Sequence, residues 1–131
     1  MLEKGIHGSK TLVVDAVKTA RAMGSGGLDV FATPALVALM EGTALESLLP
    51  HLEAGQGTVG TAISVRHLAA TPVGMQVRCE SELTAVEGRK LTFTVTAYDE
   101  VDKIGEATHE RFLIDNARFM QKAQSKLRPD G

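Results

Sequence analysis

The sequence predicts an α+β domain of two layers, about five antiparallel strands curved around one central helix. Three observations predict it. Residues 31–44, Phe-Ala-Thr-Pro-Ala-Leu-Val-Ala-Leu-Met-Glu-Gly-Thr-Ala, are almost wholly apolar, rich in helix formers and marked by a helix-start signal. From residue 58 onward the period changes from helical to alternating. The alternating segments are joined mostly by short turns, which only antiparallel neighbours allow.

Residues 11–17, Thr-Leu-Val-Val-Asp-Ala-Val, are short and β-branched and read as a first strand. Residues 18–29 contain Met23-Gly24-Ser25-Gly26-Gly27 and read as a flexible connection. These glycines match neither a dinucleotide-binding fingerprint nor a P-loop. A mobile loop just before a site-bearing helix can still act as a lid. At Thr33-Pro34 the proline suits a first helical turn and pushes Thr33 toward the extended backbone of an N-cap. The helix is expected from residue 34 to about 49, stopping near Pro50. Its apolar positions go all the way round, which predicts burial on every side.

In residues 58–68 one row holds Val59, Thr61, Ile63, Val65 and His67, and the other Thr58, Gly60, Ala62, Ser64 and Arg66. This is a strand with one hydrophobic face. After a turn at residues 69–74, Met75, Val77, Cys79, Leu83 and Ala85 form the apolar row of the next strand. Glu87-Gly88-Arg89-Lys90 is a tight hairpin connection to a row of Leu91, Phe93, Val95 and Ala97. A second turn at residues 100–103 leads into a last strand over 104–115. The polar tail from Asn116 reads as a short helix or a frayed end. A curved antiparallel sheet wrapped around one helix is the hotdog architecture, and residues 1–131 read as one such domain.

With 131 residues and 44% of them hydrophobic, the chain suits one domain with a real core. A net charge of −2 and a pI near 6.1 argue against a nucleic-acid partner, whose footprint is a basic stripe. Four phenylalanines, one tyrosine and no tryptophan also supply few platforms for stacking bases. A single cysteine, Cys79, excludes an intrachain disulfide and cysteine-based zinc motifs, and it reads as a small buried hydrophobe. The start, Met1-Leu2-Glu3-Lys4-Gly5, has no apolar signal core, and no apolar run approaches the ~18 residues of a membrane span. A cytoplasmic protein without a membrane partner is expected.

Four polar residues are candidates for chemistry. Glu41 shares a helix face with Val37, Leu45 and Leu48, where a lone carboxylate needs a partner, a raised pKa or a job. It reads as a satisfied buried carboxylate, or as a general base or nucleophile. Thr33 reads as the N-cap, a position whose hydroxyl, free amides and helix dipole also favour a developing anion. His67, at the end of its apolar row, reads as a structural histidine or as a base orienting water. His109 reads as an ordinary strand histidine. No His-Glu-x-x-His or His-x-x-x-His spacing points to a metal, and no Gly-x-Ser-x-Gly elbow points to a serine hydrolase. Thr33 and Glu41 stand eight residues apart, roughly 12 Å along one helix. If both serve one site, a substrate spans them or they come from different subunits. A five-stranded sheet has open edges that pairing across a two-fold axis would close. A homodimer with sites near its interface is expected.

Several segments together resemble the fluoroacetyl-CoA thioesterase-like family of hotdog proteins. These are Val30-Phe31-Ala32-Thr33, Leu39-Met40-Glu41, Gly60-Thr61-Ala62-Ile63-Ser64-Val65-Arg66-His67-Leu68-Ala69-Ala70-Thr71-Pro72, Val86-Glu87-Gly88-Arg89, and Ile104-Gly105 with Thr108-His109-Glu110-Arg111. The resemblance implies acyl-CoA thioester hydrolysis with Thr33, Glu41 and His67 as the catalytic set. It places Gly60 and Arg111 with substrate binding, and it implies no separate cofactor, since coenzyme A is part of the substrate. Arg66, Arg89 and Lys90 are candidates for the CoA phosphates. The fluoroacetyl-specific member carries a phenylalanine-rich lid ahead of the helix. Residues 23–29 here, Met-Gly-Ser-Gly-Gly-Leu-Asp, hold no aromatic, which implies a short or medium acyl group instead. Two rivals stand beside this reading. One is an acyl-thioester hydratase or dehydratase, whose usual Asp/His pair is not found. The other is a non-catalytic acyl-CoA-binding module.

Overall fold

The computed structural model describes residues 2–127. Its strands are β1 (His7–Val13), β2 (Gln56–His67), β3 (Gln76–Glu87), β4 (Lys90–Tyr98) and β5 (Lys103–Asp115). They form one five-stranded sheet, antiparallel throughout, in the order β1-β3-β4-β5-β2. The helices are a short α1 (Ala20–Met23), the long α2 (Thr33–Leu48) and α3 (Asn116–Gln124). The sheet curls around α2. Leu36, Leu39, Met40, Ala44 and Leu48 of the helix join Val77, Cys79, Leu83, Leu91, Phe93, Val95 and Ile104 of the sheet in one core. The alternating row of β4 and that of β3 as far as Leu83 are those the sequence predicts; a second bulge at Thr84 then sets Ala85 opposite Thr92 and Val86 opposite the buried Leu91, so Ala85 leaves its expected row. At Gly105 a Cβ would stand 2.9 Å from Leu36 Cδ2 and 3.2 Å from Met40 Cε, so a bare backbone lets the helix settle onto β5.

Four local expectations change. First, α2 is not buried on every side. Val37, Glu41 and Leu45 are half-buried, and Pro34 and Ala38 are exposed. A single sheet covers only one side of a helix, so the apolar residues opposite it face out of the chain. Second, β1 begins at His7 rather than residue 11 and ends at Val13. Its polar first half pairs with β3, from His7↔Glu82 to Lys10↔Cys79. Gly8 makes this possible, because a Cβ there would lie 2.7 Å from Ser47 Cβ and 2.9 Å from the Thr43 carbonyl on α2. Beyond Val13 the chain turns, with Asp15 Oδ1 accepting from the Val17 N–H at 3.1 Å.

Third, residues 18–29 form a hydrogen-bonded turn. Thr19 caps α1 by accepting from the Ala22 N–H, and Gly24 ends it at φ +74°. The Ala20 and Arg21 amides donate to the carbonyls of Val30 (2.9 Å) and Leu28 (3.1 Å). Fourth, the two rows of β2 are not continuous. Gly60 stands opposite Arg111 and Ala62 opposite Glu110, so Thr61 is an extra residue in a bulge. Ile63, Val65 and His67 face the helix side as expected, but Thr58 and Gly60 face the same side rather than the opposite one. The tail is helical: Asp115 Oδ1 caps α3 through the Arg118 N–H at 3.0 Å, and a short turn ends at Leu127. Of the expected frayed tail, residues 128–131 lie outside the described residues. Among the described residues, no helix is long and apolar enough to cross a membrane.

The packing at Gly8 has a direct consequence. Gly8→Ala must push β1 away from α2, and overpacking of this kind costs about 1–3 kcal/mol. Urea denaturation should show a lower midpoint with an unchanged slope; an unaltered midpoint would contradict the close approach.

Candidate active site

The site residues lie in two groups. The first forms where the start of α2 meets the end of β2. The Phe31 N–H donates to the Thr71 carbonyl at 2.8 Å and the Ala32 N–H to the Lys18 carbonyl at 2.9 Å, fixing the approach to the helix. The N-cap is Ala32, extended at φ −74° and ψ 143° and without a side-chain cap. Thr33 is therefore the first helical residue and not the expected cap, and its hydroxyl is free for another partner. That partner is His67, whose Nδ1 lies 2.8 Å from Thr33 Oγ1. His67 is held as the last residue of β2 by its pairing with Gly105 and by the next amide, Leu68 N–H to the Ile104 carbonyl, 2.7 Å. Because Pro34 has no N–H, Thr33 and Ala35 supply the free amides of the first helical turn.

Burial pushes the His67 pKa below its ordinary value, with the Ala69 backbone pulling the other way. A neutral imidazole can accept a proton from the Thr33 hydroxyl or from water. Its Nε2 is shielded from solvent and has no hydrogen-bond partner among the described residues. The pair opens on a recess of about 380 Å³, walled by Ala20, Ser25, Phe31 and the Leu68-Ala69-Ala70 segment.

The second group forms around Gly60. A Cβ there would stand 2.7 Å from Glu41 Oε1, 3.2 Å from His109 Cε1 and 3.3 Å from Arg111 Nη1, so three functional side chains converge on a glycine. Arg111 is only 6% exposed and His109 1%. Arg111 Nε donates to Thr58 Oγ1 at 2.8 Å, and Nη2 donates to the Thr58 carbonyl at 3.1 Å. His109 Nδ1 lies 2.8 Å from the Ala62 carbonyl, which makes Nδ1 the protonated nitrogen. Its Nε2 then accepts from Arg111 Nη1 at 3.2 Å. Burial lowers the Arg111 pKa, and the nearby Glu41 carboxylate pulls it back up.

Within one chain the structure brings Thr33 to His67, and Glu41 to Gly60 and Arg111, but it does not unite the two groups. Six residues of β2 lie between Gly60 and His67, whose partners Arg111 and Gly105 are six positions apart on β5, roughly 20 Å of strand. Sequence reasoning missed Thr58, because the bulge that turns it inward has no sequence signal. It also undervalued His109, although the His109–Arg111 spacing puts both on one face of β5.

A helix cradled by a curled antiparallel sheet, with a hydroxyl–imidazole pair at its N-terminus, defines a hotdog protein of the thioesterase class. The profile of the family described as "FlK: Fluoroacetyl-CoA-specific thioesterase" matches residues 14–117. The fluoroacetyl-CoA thioesterase of Streptantibioticus cattleyicolor is 48% identical over 98 residues, which are 75% of this chain and 70% of that protein. A crystal structure of FlK superposes with a TM-score of 0.90 at 40% identity, covering 96% of this chain and 98% of the other. A Thermus thermophilus member of the thioesterase superfamily superposes at 0.89 with 27% identity, covering 99% and 98%. The chain belongs to the fluoroacetyl-CoA-specific thioesterase family.

The buried histidines set a pH response. The His109 pKa lies below its ordinary 6.5, first through burial and further through Arg111, against the Ala62 carbonyl and Glu41. The unfolded chain therefore takes up this proton first as the pH falls. The associated stability is complete above about pH 6.5 and is lost as the pH drops through the folded value. Urea denaturation from pH 7.5 to 5.5 should show falling stability, and His109→Gln should flatten part of that slope, leaving the part due to His67. A slope unchanged by the substitution would contradict a neutral buried His109.

Proposed function

We propose that this protein hydrolyses the thioester bond of a short or medium acyl-CoA. The observation that carries the reading is the 2.8 Å contact between Thr33 Oγ1 and His67 Nδ1 at the start of α2, in a member of this family. The thioester carbonyl would rest against the first-turn amides and the Thr33 hydroxyl, donors placed where an oxyanion develops. His67 would take the proton of the attacking group, a water or the Thr33 hydroxyl. As the C–S bond breaks, that proton would pass to the CoA sulfur. With water as the attacker this gives the carboxylic acid and free CoA; with Thr33 it gives free CoA and an ester on Thr33, which a water then hydrolyses to the acid and the restored hydroxyl. Glu41 would orient His67 or act itself as base or nucleophile, with Arg111 and Gly60 holding it and the substrate.

The wall formed by Ala20 and Ser25, without an aromatic from residues 23–29, suits a small aliphatic acyl group. A related FlK structure holds fluoroacetate and CoA together, which supports a CoA thioester as the substrate. The proposed assembly is a homodimer. β2 is an edge strand of 12 residues, and Val37, Glu41 and Leu45 of α2 are only half-covered. Antiparallel pairing of two β2 edges across a two-fold axis would set the His67 end of one against the Gly60 end of the other. The two halves of the site would then meet. A cytoplasmic location, with neither nucleic acid nor membrane as partner, belongs to the same reading.

A thiol-release assay with a panel of acyl-CoAs tests it. Free CoA should appear, and Glu41→Ala, Thr33→Ala and His67→Ala should each lower kcat by about 10²–10⁴-fold. Hydration without thiol release, binding without turnover, or an unchanged kcat in Glu41→Ala would overturn the reading.

A further inference from the structure

The chemistry proposed above leaves one recess unused. At the far end of β2 and β5 a cavity of about 460 Å³ is walled by Gln56, Asp115, Arg89 and three residues of α3, Arg118, Phe119 and Lys122. Arg118 and Lys122 are one helical turn apart and so share a side of α3. Arg89 comes from the β3–β4 hairpin, which is pinned to the end of β5 by the Leu113 N–H donating to the Arg89 carbonyl at 2.9 Å. Among the described residues these three cations have no carboxylate partner, whereas Lys10, Lys18, Arg21, Arg78, Lys90 and Lys103 each have one. The acid on the wall, Asp115, already accepts the Arg118 amide as the cap of α3. Three unpaired cations around one concavity make a local positive field on a chain whose net charge is −2. Phe119, 42% exposed, adds an aromatic surface beside them.

Its place in the fold suggests the ligand. Gln56 faces Asp115 across the ladder as Gly60 faces Arg111. The recess therefore lies four residues down the same two strands from the Glu41–Gly60–Arg111 group, roughly 13 Å away. Arg111, Leu113 and Asp115 alternate onto one face of β5, and Leu113 and Asp115 border the recess together with Ile114. An extended pantetheine arm spans such a distance. We propose that this recess binds the phosphorylated nucleotide end of the acyl-CoA, with Arg89, Arg118 and Lys122 meeting its phosphates and Phe119 lying against its adenine. Of the basic residues singled out from the sequence, Arg89 has this role. Lys90 is instead engaged by Glu110 at 3.6 Å, and Arg66 lies near the opposite end of β2.

The proposal rests on the acyl-CoA reading and is tested apart from it. The triple variant Arg89→Gln, Arg118→Gln, Lys122→Gln removes surface charge without touching the core. With an acyl-CoA substrate its KM should rise about ten-fold or more, with kcat unchanged. With the matching acyl-pantetheine thioester, which lacks the nucleotide, KM should not move. Added salt should raise the wild-type KM for the CoA ester alone. Calorimetric titration with free CoA reads the recess even if no acyl-CoA is turned over: the wild type should bind CoA more tightly than pantetheine, and the triple variant should lose that difference. Equal KM changes on the two substrates, or CoA binding unaffected by the substitutions, would overturn the proposal.

Discussion

Side chains alternate between the faces of a strand, so one extra residue reverses the facing of everything beyond it. Thr61 is that residue in β2. On its C-terminal side Ile63, Val65 and His67 face the helix. On its N-terminal side the bulge turns Thr58 and Gly60 to the same face. Were β2 regular with His67 facing inward, Thr58 would point away from Arg111, whose Nε it now receives at 2.8 Å. Gly60 would no longer leave open the space that Glu41 Oε1, His109 and Arg111 approach. The bulge thus lets one strand serve both parts of the site, His67 at its end and Gly60 near its start.

The helix serves two purposes as well. Its sheet-facing side, through Leu36, Met40 and Leu48, anchors the fold. Its first turn presents Thr33, and its flank toward β2 presents Glu41. A lone chain keeps those two apart, Thr33 with His67 and Glu41 with Arg111. Arg111 is held by Thr58 and by a His109 whose tautomer is set by the Ala62 carbonyl. Arg111 and His109 are thus positioned by buried hydrogen bonds before a substrate or a second subunit arrives.

Most of the fold was legible in the sequence because periodicity carries it. The row of β4, that of β3 up to Leu83, the Gly88 hairpin and the long apolar helix follow from alternation, turn chemistry and composition. What stayed hidden depends on contacts between distant segments. The start of β1 is polar, and its place in the sheet rests on Gly8 against Ser47 and Thr43, residues far along the chain. The bulge at Thr61 leaves no mark on composition. Thr33 looked like a cap, yet the extended residue is Ala32, and the hydroxyl is used by a histidine 34 residues away. Thr33, Glu41 and His67 were each legible as candidates, but their division into two groups was not. The eight-residue gap between Thr33 and Glu41 was the one sequence clue to that division.

The central claim is that the Thr33–His67 pair of one subunit works with Glu41 of another. Subunit mixing tests it most directly. His67→Ala and Glu41→Ala chains, each inactive alone, are to be unfolded, mixed in equal amounts and refolded. If the site is shared, every mixed dimer regains one intact site, and the mixture should recover about a quarter of wild-type turnover from random two-fold pairing. If all three groups act within one chain, no mixed dimer holds a complete site, and a mixture as inactive as its components would contradict the account.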